Sequence, residues 1–365
     1  MSKLSQILVA NKVRKQFGTG DKKRDEGQKT PENVVRFDNI RYGNARRLKK
    51  WQLLDVYRPK TDMDVQAGIC DGASTVKDEG TQSLGGGNDG ASTDKATVGL
   101  KPLPVIVIVH GGAWVYGDKD VYQFYGMRLA QRGFAVVNFS YRLAPEAKFP
   151  SSLIDTDAVF RWIFENAQEY GFDVNNIFAV GDSAGAHLLA LYSSAVTNPD
   201  FANELADKFD FTIQPKCPQN SQSPQPSQSP LPETPRPFLK GIALNCGKYD
   251  MSENLENDVQ MRLLLQALMP GGGTEEELKL INAAGHVTKD FPPAFVMTCK
   301  GDFLVGQAPV ILNALEQAGV KHEYHCYGTQ ENPLWHVFHC DPHLPEAVIC
   351  NDDECNFFKG LSHQA

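Results

Sequence analysis

A serine in a glycine-flanked turn is the strongest candidate for chemistry in this sequence. Ser183 is the central residue of the pentapeptide at 181–185 (GDSAG), which follows an apolar run at 177–180 (IFAV) and precedes a helical pattern at 186–196. A G-x-S-x-G motif between a strand and a helix is typical of a serine nucleophile, because its small residues permit a tight turn that exposes the hydroxyl. The N-terminus of the following helix favours developing negative charge. The motif therefore predicts a nucleophile.

A second glycine-containing turn predicts the donors that would stabilise an oxyanion. The β-branched run at 105–109 (VIVIV) leads directly into residues 110–114 (HGGAW). Acyl transfer needs backbone N–H groups that are fixed before charge develops on the carbonyl oxygen. We expect these donors to be the N–H groups of Gly112, Ala113 and Ala184, with Gly111 as the substitute if the register differs by one residue. We expect His110 to tie down this loop.

The acid and the general base are sought in chain order, because this kind of site runs serine, acid, histidine. The apolar run at 295–299 (FVMTC) leads to Asp302, which is the candidate acid. The last predicted strand covers 320–327, and the loop after it contains His336 and His339. We predict His336 as the base and keep His339 as the alternative. Structural roles are expected for the remaining candidates, which are His187, His286, His322 and His325.

These roles define a mechanism that needs no cofactor and no metal. His336 takes the proton of Ser183 as the hydroxyl attacks an acyl carbonyl, and Asp302 orients the imidazole and stabilises its charged form. Water activated by His336 then releases the acid. Three aromatic residues, Trp114, Tyr116 and Trp335, are predicted to line the substrate pocket, with Tyr249 as a further candidate. No long apolar lid is evident, which favours small short-acyl esters; sugar acetates and aryl esters remain open.

The segments that would position these residues alternate between short apolar runs, which are typical of strands, and amphipathic patterns, which are typical of helices. Short apolar runs suit strands buried on both faces of a parallel sheet, and amphipathic helical patterns lie between them, as at 157–169 and 308–315. This alternation predicts an α/β fold with a mostly parallel central sheet flanked by helices. A small cap is expected within residues 251–290. In such sheets ligands bind beyond the carboxyl ends of the strands, where the candidate residues lie.

The domain organisation follows from the segments that look unlike packed protein. Residues 61–101 are rich in Gly, Asp, Ser and Thr, and residues 214–237 are rich in Pro, Gln and Ser, so neither can bury enough apolar surface to offset its chain entropy. We predict a single domain over 34–345 that carries both segments as surface insertions. A polar N-terminal segment at 1–33 is expected to be a loose tail or marginal helix, and 346–365 is expected to be a C-terminal extension.

Composition excludes several classes of protein. The 365 residues carry a net charge of −8, with 22% charged and 41% hydrophobic residues. The apolar fraction argues against a disordered chain, and the net negative charge argues against nucleic-acid binding. No apolar run reaches the roughly 18 residues of a membrane span. The eight cysteines contain no CxxC pair. Together with the charged N-terminus, they predict a cytoplasmic protein. Cys246 and Cys299 are expected to be core thiols, and the spacing of three others, Cys340, Cys350 and Cys355, matches no zinc site.

Several motifs together resemble a known group of enzymes. They are similar to motifs of the hormone-sensitive-lipase-like and acetylesterase group of α/β-hydrolases. These motifs are HGGAW, GDSAG, the GDFL that contains Asp302, the H-x-F that begins at His336, and YRLAPE at 141–146. The resemblance covers roughly 34–60, 102–200 and 238–340. It implies the α/β-hydrolase fold and a serine carboxylesterase. Ala113 and Val337 stand where that group usually has glycine.

Two alternatives to the esterase stay open at this point. HGGxW and GDSAGAHL are also similar to arylformamidases of the same fold, which would make the substrate an N-formyl aryl amine of the N-formylkynurenine type. A catalytically silent hydrolase used as a binding module would need a broken triad, whereas every candidate member is present. The predicted partner is a small-molecule ester, and the sequence indicates no oligomeric state.

Overall fold

The computed structural model describes residues 3–44, 50–60, 100–213, 238–253 and 255–362. The predicted insertions at 61–101 and 214–237 lie outside the described residues, apart from residues 100 and 101. Within the described ranges, no helix combines the length and apolar character that crossing a membrane requires. The cytoplasmic location and the domain boundaries stay predictions.

A single eight-stranded sheet organises the chain. Its strands are β1 (Val34–Arg41), β2 (Leu53–Pro59), β3 (Leu103–Val109), β4 (Ala135–Ser140), β5 (Phe172–Asp182), β6 (Leu239–Asn245), β7 (Ala294–Cys299) and β8 (His322–Tyr327). The spatial order is β1-β2-β4-β3-β5-β6-β7-β8. Only the pairs β1–β2 and β2–β4 are antiparallel among the described strands. The predicted mostly parallel sheet is confirmed.

The helices cover both faces of this sheet. They are α1 (Lys3–Arg24), α2 (Gln123–Gln131), α3 (Ser151–Glu165), α4 (Ala167–Tyr170), α5 (Ala184–Thr197), α6 (Pro199–Phe209), α7 (Val259–Leu268), α8 (Glu275–Leu280), α9 (Ala308–Ala318) and α10 (Pro345–Ser362). Interior strands such as β4 and β7 are buried along their whole length, which is why the sequence shows continuous apolar runs there. Two apolar cores result, one on each face of the sheet.

The N-terminal segment is more ordered than its polar sequence predicts. Residues 3–24 form one helix, α1, whose buried stripe consists of Val9, Ala10 and Val13. Arg14 anchors α1 to the fold: its guanidinium donates to the carbonyl oxygen of Val115 at 2.8 Å and forms an ion pair with Glu146 at 2.7 Å. Of the two expectations, a loose tail and a marginal helix, the structure has the helix, and a narrow apolar stripe supplemented by polar anchoring holds it against the fold.

The C-terminal segment is likewise part of the packed structure. Helix α10 buries Phe357, Phe358 and Leu361 in the second core. The ring of Phe358 stacks on Phe178 of β5 with centroids 4.7 Å apart. The predicted extension at 346–365 is thus a structural helix as far as residue 362. This packing also accounts for the late cysteines, since Cys340, Cys350 and Cys355 are buried in the same core.

Candidate active site

Ser183 occupies a strained turn between β5 and α5. Its backbone has φ 54° and ψ −115°, a conformation that non-glycine residues rarely adopt and that costs about 1–3 kcal/mol. Backbone hydrogen bonds hold the turn on both sides, from the Ser183 N–H to the Asn245 carbonyl at 2.8 Å and from the His187 N–H to the Ser183 carbonyl at 3.1 Å. The surrounding sheet and helix therefore fix the hydroxyl at the apex of the turn.

The two glycines of the motif permit close approach of helix and sheet. A Cβ at Gly185 would overlap the Val109 carbonyl oxygen, and one at Gly181 would lie 2.6 Å from the Gly185 carbonyl oxygen. Both contacts would be shorter than any that real carbon and oxygen atoms make. Only glycine fits either position without shifting β3, β5 or α5.

Asp302 is held in the loop after β7 by three hydrogen bonds. Its carboxylate accepts from the Thr298 hydroxyl at 2.9 Å, from the Leu304 N–H at 2.9 Å and from Nδ1 of His336 at 2.7 Å. Burial disfavours the charged form, but the hydrogen bond and charge of His336, together with the Leu304 N–H, outweigh it and lower the pKa of Asp302. The carboxylate is therefore ionised and oriented toward the imidazole.

His336 lies in a loop that is tied to the end of the sheet. The Gly301 N–H donates to the Pro333 carbonyl at 2.7 Å, and the Cys299 thiol donates to the Trp335 carbonyl at 3.2 Å. Since Nδ1 of His336 bonds to Asp302, Nε2 is the nitrogen left for chemistry. The imidazole and Ser183 line the same cavity. The structure thus brings together all three residues proposed as the triad.

This cavity has a volume of about 950 Å³ and walls from several parts of the chain. Helix α1 contributes Gln16, Phe17, Gly20, Asp21, Lys23 and Arg24, and α7 with its cap residue contributes Asp258, Gln260, Met261 and Leu264. The loops after the strands supply the remaining wall. A cap segment is predicted within 251–290, and α7 lies there. The wall formed by α1 is not predicted, because the polar sequence of residues 1–30 carries no sign of a role at the site.

The predicted pocket aromatics divide into two groups. Trp114, Tyr116 and Trp335 line the cavity. Tyr249 does not line it, being only 1% exposed and packed in the core. Tyr116 also donates its hydroxyl to Asp21 of α1 at 2.7 Å, and that bond joins two residues that line the cavity from distant parts of the chain.

The predicted oxyanion donors lie at the cavity, but the N–H group of Gly111 already has a hydrogen-bond partner. Gly112, Ala113 and Ala184 all line it, and the first two have φ values of 121° and 51°. The N–H of Gly111 already donates to the Tyr122 hydroxyl at 3.0 Å. Gly111 is therefore not available as the substitute donor. Ala113 has a positive φ, which favours glycine, so alanine at this position carries backbone strain.

Two buried histidines support the loops around the cavity. His110 stacks on Tyr141 with centroids 4.0 Å apart, and its Nδ1 donates to the Gly111 carbonyl at 2.8 Å. His187 accepts from the Trp114 indole at 3.1 Å and donates through Nε2 to the Ile281 carbonyl at 2.8 Å. Burial lowers the pKa of each histidine to about 4. Both histidines are neutral, and their hydrogen bonds hold the loops around the cavity in place, in line with their predicted structural roles.

Three further histidines with predicted structural roles, His286, His322 and His325, do not line the cavity. His286 stacks on Phe201 with centroids 3.8 Å apart, and its Nε2 donates to the Leu280 carbonyl at 2.9 Å. His322 and His325 are partly exposed on the edge strand β8.

A second Asp–His pair lies behind the nucleophile, in the core. Asp182 accepts from Nε2 of His339 at 3.1 Å, from the Cys340 thiol at 3.2 Å and from Asn245 at 3.2 Å. Asn245 also donates to Glu354 of α10 at 2.9 Å. His339 is fully buried and does not line the cavity, so it is not positioned as the alternative base. The sequence pattern does not predict this pair, although Asp182 lies within the GDSAG motif.

Two groups of side chains in the described part of the chain could ligate a metal. They are Asp182, His339 and Cys340, and Cys246, Asp302 and His336, with ligand atoms within 4.8 Å of one another in each group. In both groups the carboxylate is already hydrogen-bonded to the histidine. Cys246 and Cys299 are free, buried thiols, as predicted.

Comparison with known proteins finds sequence similarity to esterases. The BD-FAE family model matches residues 95–220. Esterase LipC of Mycobacterium tuberculosis is 36% identical over 115 residues, which cover 31% of this chain and 28% of LipC. Versiconal hemiacetal acetate esterase of Dothistroma septosporum is 26% identical over 261 residues, which cover 68% of this chain and 70% of that protein.

A solved structure extends the likeness to the whole fold. Esterase B from Lactobacillus rhamnosis, inhibited by a tributyrin phosphonate, superposes with a TM-score of 0.75 at 22% sequence identity, covering 100% of this chain and 97% of that one. The predicted α/β-hydrolase fold and the resemblance to hormone-sensitive-lipase-like esterases are confirmed. The chain has the α/β-hydrolase fold and is similar in sequence to carboxylic ester hydrolases.

Proposed function

We propose that this protein is a serine carboxylesterase that hydrolyses small short-acyl esters through Ser183, His336 and Asp302. One observation carries the proposal: the 2.7 Å hydrogen bond between Asp302 and His336 orients an imidazole at the cavity that also contains the strained Ser183 turn. This is the geometry in which a weak hydroxyl becomes a nucleophile. The names of the related esterases support the same reaction class.

The mechanism assigns each group one task. Ser183 Oγ attacks the ester carbonyl while Nε2 of His336 takes its proton, and the N–H groups of Gly112, Ala113 and Ala184 stabilise the oxyanion. Collapse of this intermediate expels the alkoxide, which receives the proton from His336. Water then attacks the acyl-enzyme and loses a proton to His336. The second intermediate breaks its bond to Ser183 Oγ, which takes that proton from His336, and the carboxylic acid leaves. Ser183 is thereby regenerated, and no redox change occurs.

The lining of the cavity supports short acyl chains. Charged and amide side chains interrupt its apolar surface, including Asp21, Arg24, Lys248 and Gln260. A long alkyl chain laid along this wall would remove water from these charged and polar groups, at a desolvation cost. An acetyl or butyryl group avoids most of that cost. One relative is itself named for an acetate ester.

Activity of a serine variant tests the proposal. Ser183→Ala should abolish hydrolysis of p-nitrophenyl acetate and butyrate while the protein stays folded, with Ser362→Ala on the distant end of α10 as the matched control. A C2 to C12 acyl series should decline with chain length. Full activity of Ser183→Ala would exclude the mechanism, and a maximum at C10 or C12 would exclude the acyl preference.

The two alternatives are separated in the same assays. N-formylkynurenine, run at equal concentration beside the acetyl esters, distinguishes an arylformamidase, which would cleave it with the higher kcat/KM. A serine-directed fluorophosphonate distinguishes a silent binding module, which would not be labelled at Ser183. We expect labelling at Ser183 and preferential ester cleavage.

A further inference from the structure

The alcohol side of the cavity can be located from the proposed chemistry. The histidine that accepts the serine proton later donates it to the leaving oxygen, so the leaving group lies beside that imidazole in the transition state. Side chains that pack against His336 at the cavity margin therefore contact the alcohol portion of the ester. This inference rests on the proposed esterase function and concerns its substrate class.

Phe303 is an exposed aromatic residue at this position. It follows Asp302 directly, lines the cavity, and is 73% exposed. Its ring centroid lies 4.3 Å from that of His336, with the planes at 41°. The backbone around it is pinned, since the Leu304 N–H donates to the Asp302 carboxylate and the Val305 N–H to the Asp302 carbonyl. The fold thus holds a phenyl ring against the base and leaves most of its surface uncovered.

Trp335 is the second exposed aromatic residue beside the base. It precedes His336 directly, lines the same cavity, and is 52% exposed. Its carbonyl accepts from the Cys299 thiol at 3.2 Å and from the Phe338 N–H at 3.0 Å. The chain on each side of the Asp302–His336 pair therefore presents a fixed backbone with an aromatic side chain open to the cavity.

We propose that Phe303 and Trp335 form a leaving-group subsite that selects esters of aromatic alcohols. Aromatic rings favour edge-to-face and offset contacts with one another beyond the gain from buried area alone. A planar aryl alcohol placed beside His336 would cover the exposed faces of both residues while its oxygen faces Nε2. A saturated ring of similar size would bury similar area without that ring–ring contact. The subsite therefore distinguishes aromatic from aliphatic alcohols.

A matched pair of acetates isolates this selection. Benzyl acetate and cyclohexylmethyl acetate share the acyl group, and each leaves as an alkoxide that carries a six-membered carbon ring. We expect wild-type kcat/KM to favour benzyl acetate by roughly 3- to 10-fold. Phe303→Leu should bring the ratio close to one, Phe303→Tyr should retain it, and Trp335→Leu should lower it. Val305→Ala, on the same loop but outside the cavity lining, is the control and should leave the ratio unchanged.

The ratio separates a subsite from a structural effect. If Phe303 only supports His336, Phe303→Leu will lower kcat/KM for both esters by the same factor, and that result overturns the proposal. A wild-type ratio of one overturns it as well. If the wild-type protein cleaves neither acetate nor any p-nitrophenyl ester, the proposed function fails together with the subsite. Cleavage of both acetates without aromatic preference leaves the esterase intact and removes the subsite alone.

Discussion

One Asp–His pair lies at the cavity and a second lies in the core next to the nucleophile turn, and the surroundings of the two pairs differ sharply. Asp302 and His336 are 2.7 Å apart at the cavity, where the imidazole side chain is 18% exposed. Asp182 and His339 are 3.1 Å apart in the core, where the imidazole is fully buried. The two histidines are separated by only two residues. Chemical type and position in the chain are therefore almost identical, and access to the cavity distinguishes them.

The difference shows what each pair can contribute. A base must reach the reacting oxygen and exchange protons with substrate and water, which only His336 can do. His339 instead satisfies a buried carboxylate that lies next to Ser183, and the same network reaches Glu354 on α10 through Asn245. The first pair is expected to govern the rate of hydrolysis and the second to govern the stability of the turn.

The largest expected effect is the loss of the exposed imidazole. His336→Ala should reduce kcat by about 10⁵-fold or more, since the nucleophile then has no base. The free energy of unfolding should fall by about 1 kcal/mol, because the buried Asp302 carboxylate loses one hydrogen bond but keeps those from Thr298 and Leu304. Steady-state kinetics and urea denaturation measure the two quantities. His322→Ala on β8 is the control and should retain activity. A small loss of kcat would show that another group serves as the base.

The next effect concerns the acid of the same pair. Asp302→Asn should reduce kcat by about 10⁴-fold, because an amide can neither hold the required imidazole tautomer nor stabilise its charged form. The variant should remain labelled, though slowly, by a fluorophosphonate at Ser183. Unaltered kinetics would assign the orienting role elsewhere.

Breaking the buried pair should affect stability instead of chemistry. His339→Gln leaves the buried Asp182 carboxylate without its charged partner, which is expected to cost about 3 kcal/mol in the free energy of unfolding. Among the folded molecules kcat should fall less than about tenfold. His322→Gln serves as the control for urea denaturation. A stable variant with kcat reduced as far as in His336→Ala would reverse the assignment of the two pairs.

The smallest effect is a pH dependence of that stability. Burial alone would lower the pKa of His339, but the charge and hydrogen bond of Asp182 outweigh it and raise that pKa. Burial opposes ionisation of Asp182, but the charge and hydrogen bond of His339, together with the hydrogen bonds from Cys340 and Asn245, outweigh it and lower the pKa of Asp182. The stabilisation by His339 is therefore complete below its unfolded pKa of about 6.5 and is lost as pH rises through its higher folded pKa. The stabilisation by Asp182 is present above about pH 3.9 and is lost as pH falls through its lower folded pKa.

These opposite pH dependences of the two stabilising contributions define the pH range in which the buried pair stabilises the fold most. The difference in unfolding free energy between wild type and His339→Gln should be largest between about pH 4 and pH 6.5 and should shrink toward alkaline pH. Urea denaturation at a series of pH values gives the difference directly. A difference that stays constant from pH 5 to pH 9 would show that the buried histidine does not titrate with folding.

Local patterns are enough to predict much of the candidate site. The GDSAG turn, the HGG turn and the order of serine, acid and histidine each depend on a few adjacent residues, so the sequence alone points to Ser183, Asp302 and His336. It also indicates Trp114, Tyr116 and Trp335 as cavity residues, and all three line the cavity. Tyr249 is misplaced by the same reasoning, because an aromatic residue after a strand carries no sign of which side it packs on.

Other features depend on contacts between distant segments. Helix α1 forms a cavity wall through Phe17 and Asp21, yet its sequence is mostly polar and its anchor, Arg14, bonds to residues more than 100 positions away. Helix α10 reaches the core by packing on strands that precede it by more than 100 residues. Phe303 is not marked by the sequence, because exposure of an aromatic ring is a property of the folded surface.

The sequence by itself determined the alternation of strands and helices, the nucleophile turn and the types of residue that could act there, because periodicity and steric restriction operate within a few residues. Only the tertiary structure decided which of two neighbouring histidines faces the cavity. Val337, with φ of 54°, and the short turn of 3₁₀ helix at Phe338–Cys340 redirect the chain between them. That redirection places His336 beside Asp302 of the loop after β7 and His339 beside Asp182 at the end of β5. Side-chain environments created by distant strands therefore separate a candidate base from a structural residue of the same type.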